Sequence, residues 1–341
     1  MARKRLHRSS NTSILAVEAV DAPRVVTSAE LDERLEETYR RVGLRAGLLE
    51  QLAGIRERRW WADGITYLDG AAMAGAKALA ASGVDAHDIG LLINTSVSRA
   101  HLEPSSAVSV HNALSLAPHC HNFDVTNACL GFVDGMQIAS AMIECGQVDH
   151  ALIVNGEDAR AVQEATIARL GGADVTAAGL MNEFATLTLG SGAVAMVLGR
   201  ADRHSEGHPV IGGISRASTE HHRLCVGNVE AMSTDSKGLL AAGMELSTAL
   251  WADAADEYDW AAGMDRYIIH QVSQVHTAAL CHTLGIDRSR VPLTFPTYGN
   301  IGPASVPYTL AKEAQNLQAG DRVLLMGIGS GLNAACTEIR W

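Results

Sequence analysis

The stretch Phe123-Asp124-Val125-Thr126-Asn127-Ala128-Cys129-Leu130-Gly131-Phe132 decides how this chain is read. Phe123, Val125 and Asn127 alternate with other residues as in a short strand. Directly after it, Phe132, Met136, Ala139 and Met142 or Ile143 recur at helical spacing, and Gly146 supplies a stop. Cys129 therefore falls where a strand turns into a helix. A thiol at such a junction meets unpaired backbone N–H groups and the positive end of the helix dipole. Both favour the thiolate and lower its pKa, which is how a nucleophilic cysteine is made. The same position also suits a small residue buried at a tight junction, because free cysteine is commonly a core residue. The stretch alone leaves both readings open.

The surrounding chain supplies more strands and helices. Ser13 to Val20 reads as a first strand, and Thr27-Ser28-Ala29-Glu30 as a capping box opening a helix to about Arg41. The basic, aromatic segment Gly54 to Trp61 reads as a solvated edge with Trp stacked on Arg. A contact for a phosphate-bearing substrate is the alternative. An Ala-rich helix runs from about Tyr67 to Ser82, and Ile89 to Thr95 is a buried strand. It ends in the polar loop Ser96 to Ser106. Ala151 to Asn155 is another buried strand, and the helical stretches of Ala159 to Leu180 look like a lid or insertion. Thr186 to Leu198 reads as two strands joined by a glycine turn. Beyond Val210 come a helix over Ser236 to Trp251, a strand from Arg266 to His270, a helix to about Leu284 and a short strand near Val291 to Phe295. The loop Tyr298 to Ser305 opens a helix. The buried strand Asp321 to Gly327 then turns at Gly327 to Asn333 into a closing strand.

Strands alternating with helices argue for the α/β class. The halves also echo each other. An Asp-led helix end, a strand and then Thr95-Ser96-Val97-Ser98 are matched by Asp265, a strand and then His270-Gln271-Val272-Ser273. The strands at 151–155 and 323–327 pair in the same scheme. We divide the chain into a disordered basic tail at 1–12, an N-terminal half at 13–205 with the insertion near 159–182, and a C-terminal half at 206–341.

Composition excludes several classes. The 341 residues are 47% hydrophobic but only 4% aromatic, which suits a close-packed globular protein. A net charge of −11 argues against a general nucleic-acid binder. Cys120, Cys129, Cys145, Cys225, Cys281 and Cys336 form no CxxC pair, so they read as reduced thiols of a cytoplasmic protein. The apolar run Ile14 to Val17 is too short for a signal peptide or anchor, and no longer run suggests a membrane span. His119-Cys120-His121 and His221-His222-Arg223-Leu224-Cys225 lack zinc spacing, so no metal site is expected. Gly327-Ile328-Gly329-Ser330-Gly331 has no βαβ unit after it and is no dinucleotide fingerprint.

Four polar residues end apolar strands or begin the loops after them: Glu103, Cys129, His270 and Asn300. Sites in open α/β sheets form outside the carboxyl ends of strands. Singly, each has an ordinary structural explanation, as a loop charge, core filler, satisfied core histidine or turn former.

Together the motifs resemble a known family. Asp124 to Phe132, His270-Gln271, Gly299-Asn300-Ile301-Gly302-Pro303-Ala304-Ser305 and Gly327-Ile328-Gly329-Ser330-Gly331 occur in the order of the thiolase superfamily, in its ketoacyl synthase III branch. The likeness runs from about Ser13 to Trp341. Leu91 to Arg99 with Leu102-Glu103-Pro104-Ser105, Asn300 to Pro307, and Gly329 to Asn333 resemble the acyl-CoA head-to-head condensing enzymes of long-chain olefin and β-lactone biosynthesis.

That resemblance implies a five-layered αβαβα thiolase fold built from two duplicated halves. It implies a dimer, formed with a second copy or a related subunit, and long-chain acyl-CoA thioesters as substrates without a further cofactor. It makes Cys129 the acylated nucleophile and pairs His270 with Asn300 as one oxyanion hole. The backbone amides of Cys129 and Ser330 form the other. It makes Glu103 the base, reaching into the partner subunit's site. Ketoacyl synthase III enzymes carry a CoA-binding Trp and Arg where Leu48 and Leu52 stand here. The alternatives are a decarboxylating ketoacyl synthase III using malonyl-ACP and a non-catalytic scaffold subunit of a condensing complex.

Overall fold

Leu91-Leu92-Ile93-Asn94 is buried along its whole length and lies between two parallel neighbours, as an uninterrupted apolar run requires. In the computed structural model, which describes residues 6–228 and 230–341, nine strands carry the fold. They are β1 (Thr12–Asp21), β2 (Leu91–Asn94), β3 (His121–Asp124), β4 (His150–Glu157), β5 (Gly192–Arg200), β6 (His208–Ala217), β7 (Arg266–Ile269), β8 (Arg322–Gly329) and β9 (Asn333–Arg340). Their lateral order is β7-β8-β9-β6-β1-β5-β4-β2-β3. The strand Leu6–Arg8 pairs with β6 off this path.

The halves repeat one topology. In the first, β1 runs antiparallel to β5, β5 antiparallel to β4, and β4 parallel to β2. In the second, β6 runs antiparallel to β9, β9 antiparallel to β8, and β8 parallel to β7. The echo read from sequence thus matches β2 with β7 and β4 with β8.

Period-two alternation sorts side chains into layers. The main helices are α1 (Tyr67–Ser82), α2 (Ser106–Ala113), α3 (Gly131–Glu144), α4 (Arg160–Leu170), α5 (Ala177–Leu187), α6 (Ser236–Ala254), α7 (Gln274–Leu284) and α8 (Ser305–Glu313). Ile93, Ile153, Met196 and Leu325 face a central cluster with Phe132, Met136 and Ile143 of α3 and Val306 and Leu310 of α8. Their strand neighbours Leu92, Leu152 and Val197 face Ala71, Ala74 and Ala78 of α1. Leu324 and Met326 face Leu246 and Leu250 of α6 and Leu280 of α7 on the far side. The result is helix, sheet, helix, sheet, helix. A fourth cluster joins Leu31, Leu35 and Tyr39 to Ile167 and Leu170 of α4 and Leu180 and Phe184 of α5.

Several local expectations are corrected. Residues 6–12 are not a disordered tail: Leu6–Arg8 is a strand, and Glu144 accepts hydrogen bonds from Ser9, Ser10, Asn11 and Thr12. Residues 1–5 lie outside the described chain. The capping box at Thr27 and Glu30 is present, but its helix stops at Arg34 and a second runs Glu36–Val42. Glu57–Trp60 is no solvated edge, because it pairs with Arg24–Thr27 and buries Arg58 and Trp60. Arg24 and Arg160 stack on Trp60. Thr186 to Leu198 contains one strand, not two, since Thr186 and Leu187 end α5, where Gln163 Nε2 donates to the carbonyls of Thr186, Leu187 and Leu189. Val291 to Phe295 is not a strand: Gln271 takes its backbone groups, accepting from Thr294 and Phe295 N–H and donating to Pro292 O. Among the described residues no helix is long and apolar enough to cross a membrane.

Candidate active site

The turn after β3 is held under strain. Ala128, not a glycine, has φ +45°, a conformation that costs an L-residue about 1–2 kcal/mol. Leu130 and Gly131 donate to Asn127 O and Ala128 O, and the Cys129 N–H has no backbone acceptor among the described residues. Asn127 fixes the turn from both sides. Its Nδ2 donates to Asp134 at 2.7 Å, and its Oδ1 accepts from Asn333 Nδ2 at 3.1 Å. The strain is thereby over-determined by neighbours, which is the usual circumstance of a reactive turn.

Cys129 is partly accessible, and its thiol is pushed up to about 12 by burial first, then by Cys225 and the Glu157 carboxylate. This reverses the sequence expectation of a lowered pKa. The helix start is there, but no cation among the described residues acts on the thiol, and a nearby carboxylate opposes the thiolate. These surroundings favour the protonated thiol at neutral pH.

The closing hairpin presses directly on this turn. A Cβ on Gly329 would stand 2.7 Å from Asn127 O and 3.2 Å from Leu130 N. Only glycine permits that approach. It brings the Gly329-Ser330-Gly331 turn beside Cys129, and the Ser330 N–H has no backbone acceptor among the described residues.

His270 follows β7, one residue past the strand end, and its N–H donates to Met326 O at 2.8 Å. The side chain is 3% exposed, and its Nδ1 is buried without a hydrogen-bond partner. Burial, with His276 adding to it, drives its pKa down to about 3, so the ring is neutral. An unpaired lone pair costs less in such surroundings than an unpaired N–H. The tautomer therefore carries its proton on Nε2, where it can donate.

Asn300 is fixed by its backbone, which donates to Thr188 O and accepts from Gly190 N–H, each at 2.9 Å. Its Oδ1 accepts from Gly302 N–H at 3.0 Å. That bond orients the amide, and Nδ2 is left as a free donor among the described residues. A neutral Nε2–H and an amide N–H are the donors a developing oxyanion needs.

Glu103 does not join this group within one chain. It lies on an exposed loop, preceded by Leu102, which is 98% exposed. The two ends of that loop are nevertheless rigid. Asp124, the last residue of β3, accepts from Ser106 and Ala107 N–H and pairs with Arg99, which also donates to Thr126 Oγ1. The loop bearing Glu103 and the turn bearing Cys129 thus hang from one carboxylate.

Sequence reasoning missed Glu157. It ends β4, is 7% exposed, and accepts from Val97 N–H at 2.8 Å, Ser98 N–H at 3.1 Å and Ser98 Oγ at 2.7 Å. Burial outweighs these bonds and raises it to about 7. The rule that flagged the other strand ends would have found it, had β4 been carried past Asn155. Leu52 is exposed, and no metal-holding group of three His, Cys, Asp or Glu occurs among the described residues.

Known proteins match the whole chain. The 3-oxoacyl-[acyl-carrier-protein] synthase III family matches residues 123–213, and its C-terminal counterpart residues 261–341. An acyl-CoA:acyl-CoA alkyltransferase of Xanthomonas campestris is 45% identical over 97% of this chain and 99% of its own. Another from Shewanella oneidensis is 36% identical over 94% and 96%. Crystal structures of Xanthomonas campestris OleA superpose closely. A cysteine-to-serine variant with bound lauric acid and lauroyl-CoA gives a TM-score of 0.95 at 44% identity, covering 97% of this chain and 99% of that one. A cerulenin-bound form gives 0.96 at 44% identity, covering 98% of each.

Proposed function

This chain belongs to the acyl-CoA:acyl-CoA alkyltransferase family, of thiolase fold and in the ketoacyl synthase III branch, and on that premise we propose that it joins two fatty acyl-CoA molecules head to head without decarboxylation. Cys129 attacks the first thioester, and its proton leaves with the departing CoA thiol. The tetrahedral oxyanion is met by the Cys129 and Ser330 N–H groups. Glu103 of a partner subunit takes the α-proton of the second acyl-CoA. His270 Nε2–H and Asn300 Nδ2–H steady the enolate. Its carbon attacks the acyl-Cys129 carbonyl and releases the thiolate, which recovers a proton from Glu103. The 2-alkyl-3-ketoacyl-CoA is then hydrolysed to the 2-alkyl-3-keto acid and CoA.

One observation carries the choice of an unactivated second substrate. The Glu103 loop and the Cys129 turn share the Asp124 anchor. A malonyl donor generates its carbanion by losing CO2 and needs no protein base, whereas an ordinary acyl-CoA does. An anchored loop that carries a carboxylate outward toward a partner subunit supplies the base that the second case requires. The product suits long-chain olefin or β-lactone biosynthesis, in a dimer, in a cytoplasm that keeps all six cysteines free.

The test mixes purified protein with one long-chain acyl-CoA and no malonyl donor. Free CoA, an acyl mass adduct on Cys129 and a 2-alkyl-3-keto product are expected. Cys129→Ala abolishes the adduct, and Glu103→Ala keeps the adduct but forms no carbon–carbon bond. Thiol release that requires malonyl-ACP overturns the proposal.

A further inference from the structure

Glu157 takes no part in the chemistry above, yet three of its hydrogen bonds go to the segment that leads to Glu103, beside one to Asn155 in its own strand. The bonding is one-directional. Ser98 Oγ accepts from Asp158 N–H at 2.9 Å, so its single O–H is directed to Glu157 Oε2. Val97 and Ser98 N–H can only donate. Three donors converge on one side chain, and only a carboxylate offers acceptors to all of them. The rest of the segment is zipped to β4 as well. Thr95 N–H and Oγ1 donate to Val154 O, and Ser96 Oγ accepts from Gly156 N–H. Asp124 grips the other end, at Ser106 and Ala107. Between the grips, Ala100 N–H donates to the Tyr67 hydroxyl at 3.2 Å.

Glu157 also faces the site. Its carboxyl carbon lies 3.8 Å from where a Cβ of Gly302 would stand, beside the residue that orients Asn300. Its charge reaches Cys129 and opposes the thiolate. A buried carboxylate there works against acylation, so its place is explained by what it does for the loop.

We propose that Glu157 is a positioning residue for carbon–carbon bond formation: it holds the Thr95–Ser98 segment so that the loop after it presents Glu103 at a fixed point to the partner subunit's acyl-enzyme. The inference rests on the condensation proposed above. It makes condensation, and not acylation, depend on the carboxylate.

The experiment compares wild type, Glu157→Gln, Ser98→Ala and the double variant at pH 8.5, with thermal melts of each. Gln places an NH2 against an N–H donor, so the clamp opens although the volume is kept. In Glu157→Gln, alkylation of Cys129 by iodoacetamide and formation of the lauroyl adduct stay at the wild-type rate or rise. Condensed product falls at least about tenfold, the scale of cost expected for a reacting group displaced by a fraction of an ångström. Ser98→Ala, which removes one of the three donors, shifts the same ratio less, and the double variant is no worse than Glu157→Gln. If Glu157→Gln does not fold, Ser98→Ala alone carries the test. Equal losses in acylation and condensation overturn the inference, as does unchanged condensation. A wild-type protein that acylates Cys129 but makes no β-keto product overturns the proposed function and this inference with it. Unaltered condensation in the variants overturns this inference alone.

Discussion

Asn333 Nδ2 donates to Asn127 Oδ1 at 3.1 Å, a single hydrogen bond that ties the closing hairpin to the Cys129 turn across 206 residues of chain. Asn127 passes the restraint on to Asp134 in the helix that follows. Asn333→Ala leaves a partly buried carbonyl oxygen unpaired, at a cost of about 1–3 kcal/mol. The turn that holds Ala128 at φ +45° loses one of its two side-chain restraints. We expect a lower unfolding midpoint and an acylation burst slowed about tenfold or more. A burst equal to wild type would show that the hairpin contact is dispensable for positioning Cys129.

Much of this arrangement could be read from residue order. Apolar runs of four to eight residues became strands, and Cys129, His270 and Asn300 fell at their ends because loops at strand ends are where polar residues can gather. What could not be read depended on side chains capturing backbone. Gln271 occupies N–H groups that a strand would have used, and Gln163 caps the last carbonyls of α5 where a strand was expected. Glu144 orders residues 9–12 from a helix more than a hundred residues away. Glu157 was missed because the strand was stopped at Asn155, two residues short of its end, while its partners at 97–98 are distant in sequence.

The orientation of the Asn300 amide gives a second prediction. Oδ1 is committed to Gly302 N–H, leaving Nδ2 to donate. Asn300→Asp keeps the acceptor and the shape, but replaces the free donor with a charged oxygen facing the developing oxyanion. Loss of one such donor costs about 100–1,000-fold in kcat. Steady-state turnover should fall by that much or more while the Cys129 adduct still forms. A loss of less than tenfold would place the donor elsewhere.

The Cys129 thiol supplies a third. Burial and the nearby carboxylate raise it to about 12, so the thiolate fraction grows tenfold per pH unit throughout the range below that value. Iodoacetamide labelling of Cys129 should rise log-linearly from pH 7 to pH 10, with no plateau. A plateau beginning near pH 7 would mean that the thiolate is stabilised in the resting enzyme, and the sequence expectation would be restored.

Glu144 provides the last, and it concerns stability. Burial alone would raise its pKa, but hydrogen bonds from Asn11 N–H and the hydroxyls of Ser9, Ser10 and Thr12 outweigh it and hold the carboxyl at about 2. A folded-state pKa below the unfolded one means that the unfolded chain binds the proton first. The stabilisation is complete above the ordinary carboxylate value and is lost as pH falls from about 4.5 toward 2. Glu144→Gln imposes that loss at neutral pH, because an amide cannot accept from every donor the carboxylate serves. Residues 9–11 then lose their bonds to α3, Thr12 keeps its bonds to Ser140, and Arg8 is left held by β6 and by its bond to Glu257. Limited trypsin digestion at pH 7.5, followed by mass spectrometry, should show faster cleavage after Arg8 in the variant than in wild type. Equal cleavage rates would mean that the pairing of Leu6–Arg8 with β6 holds the N-terminal segment without Glu144.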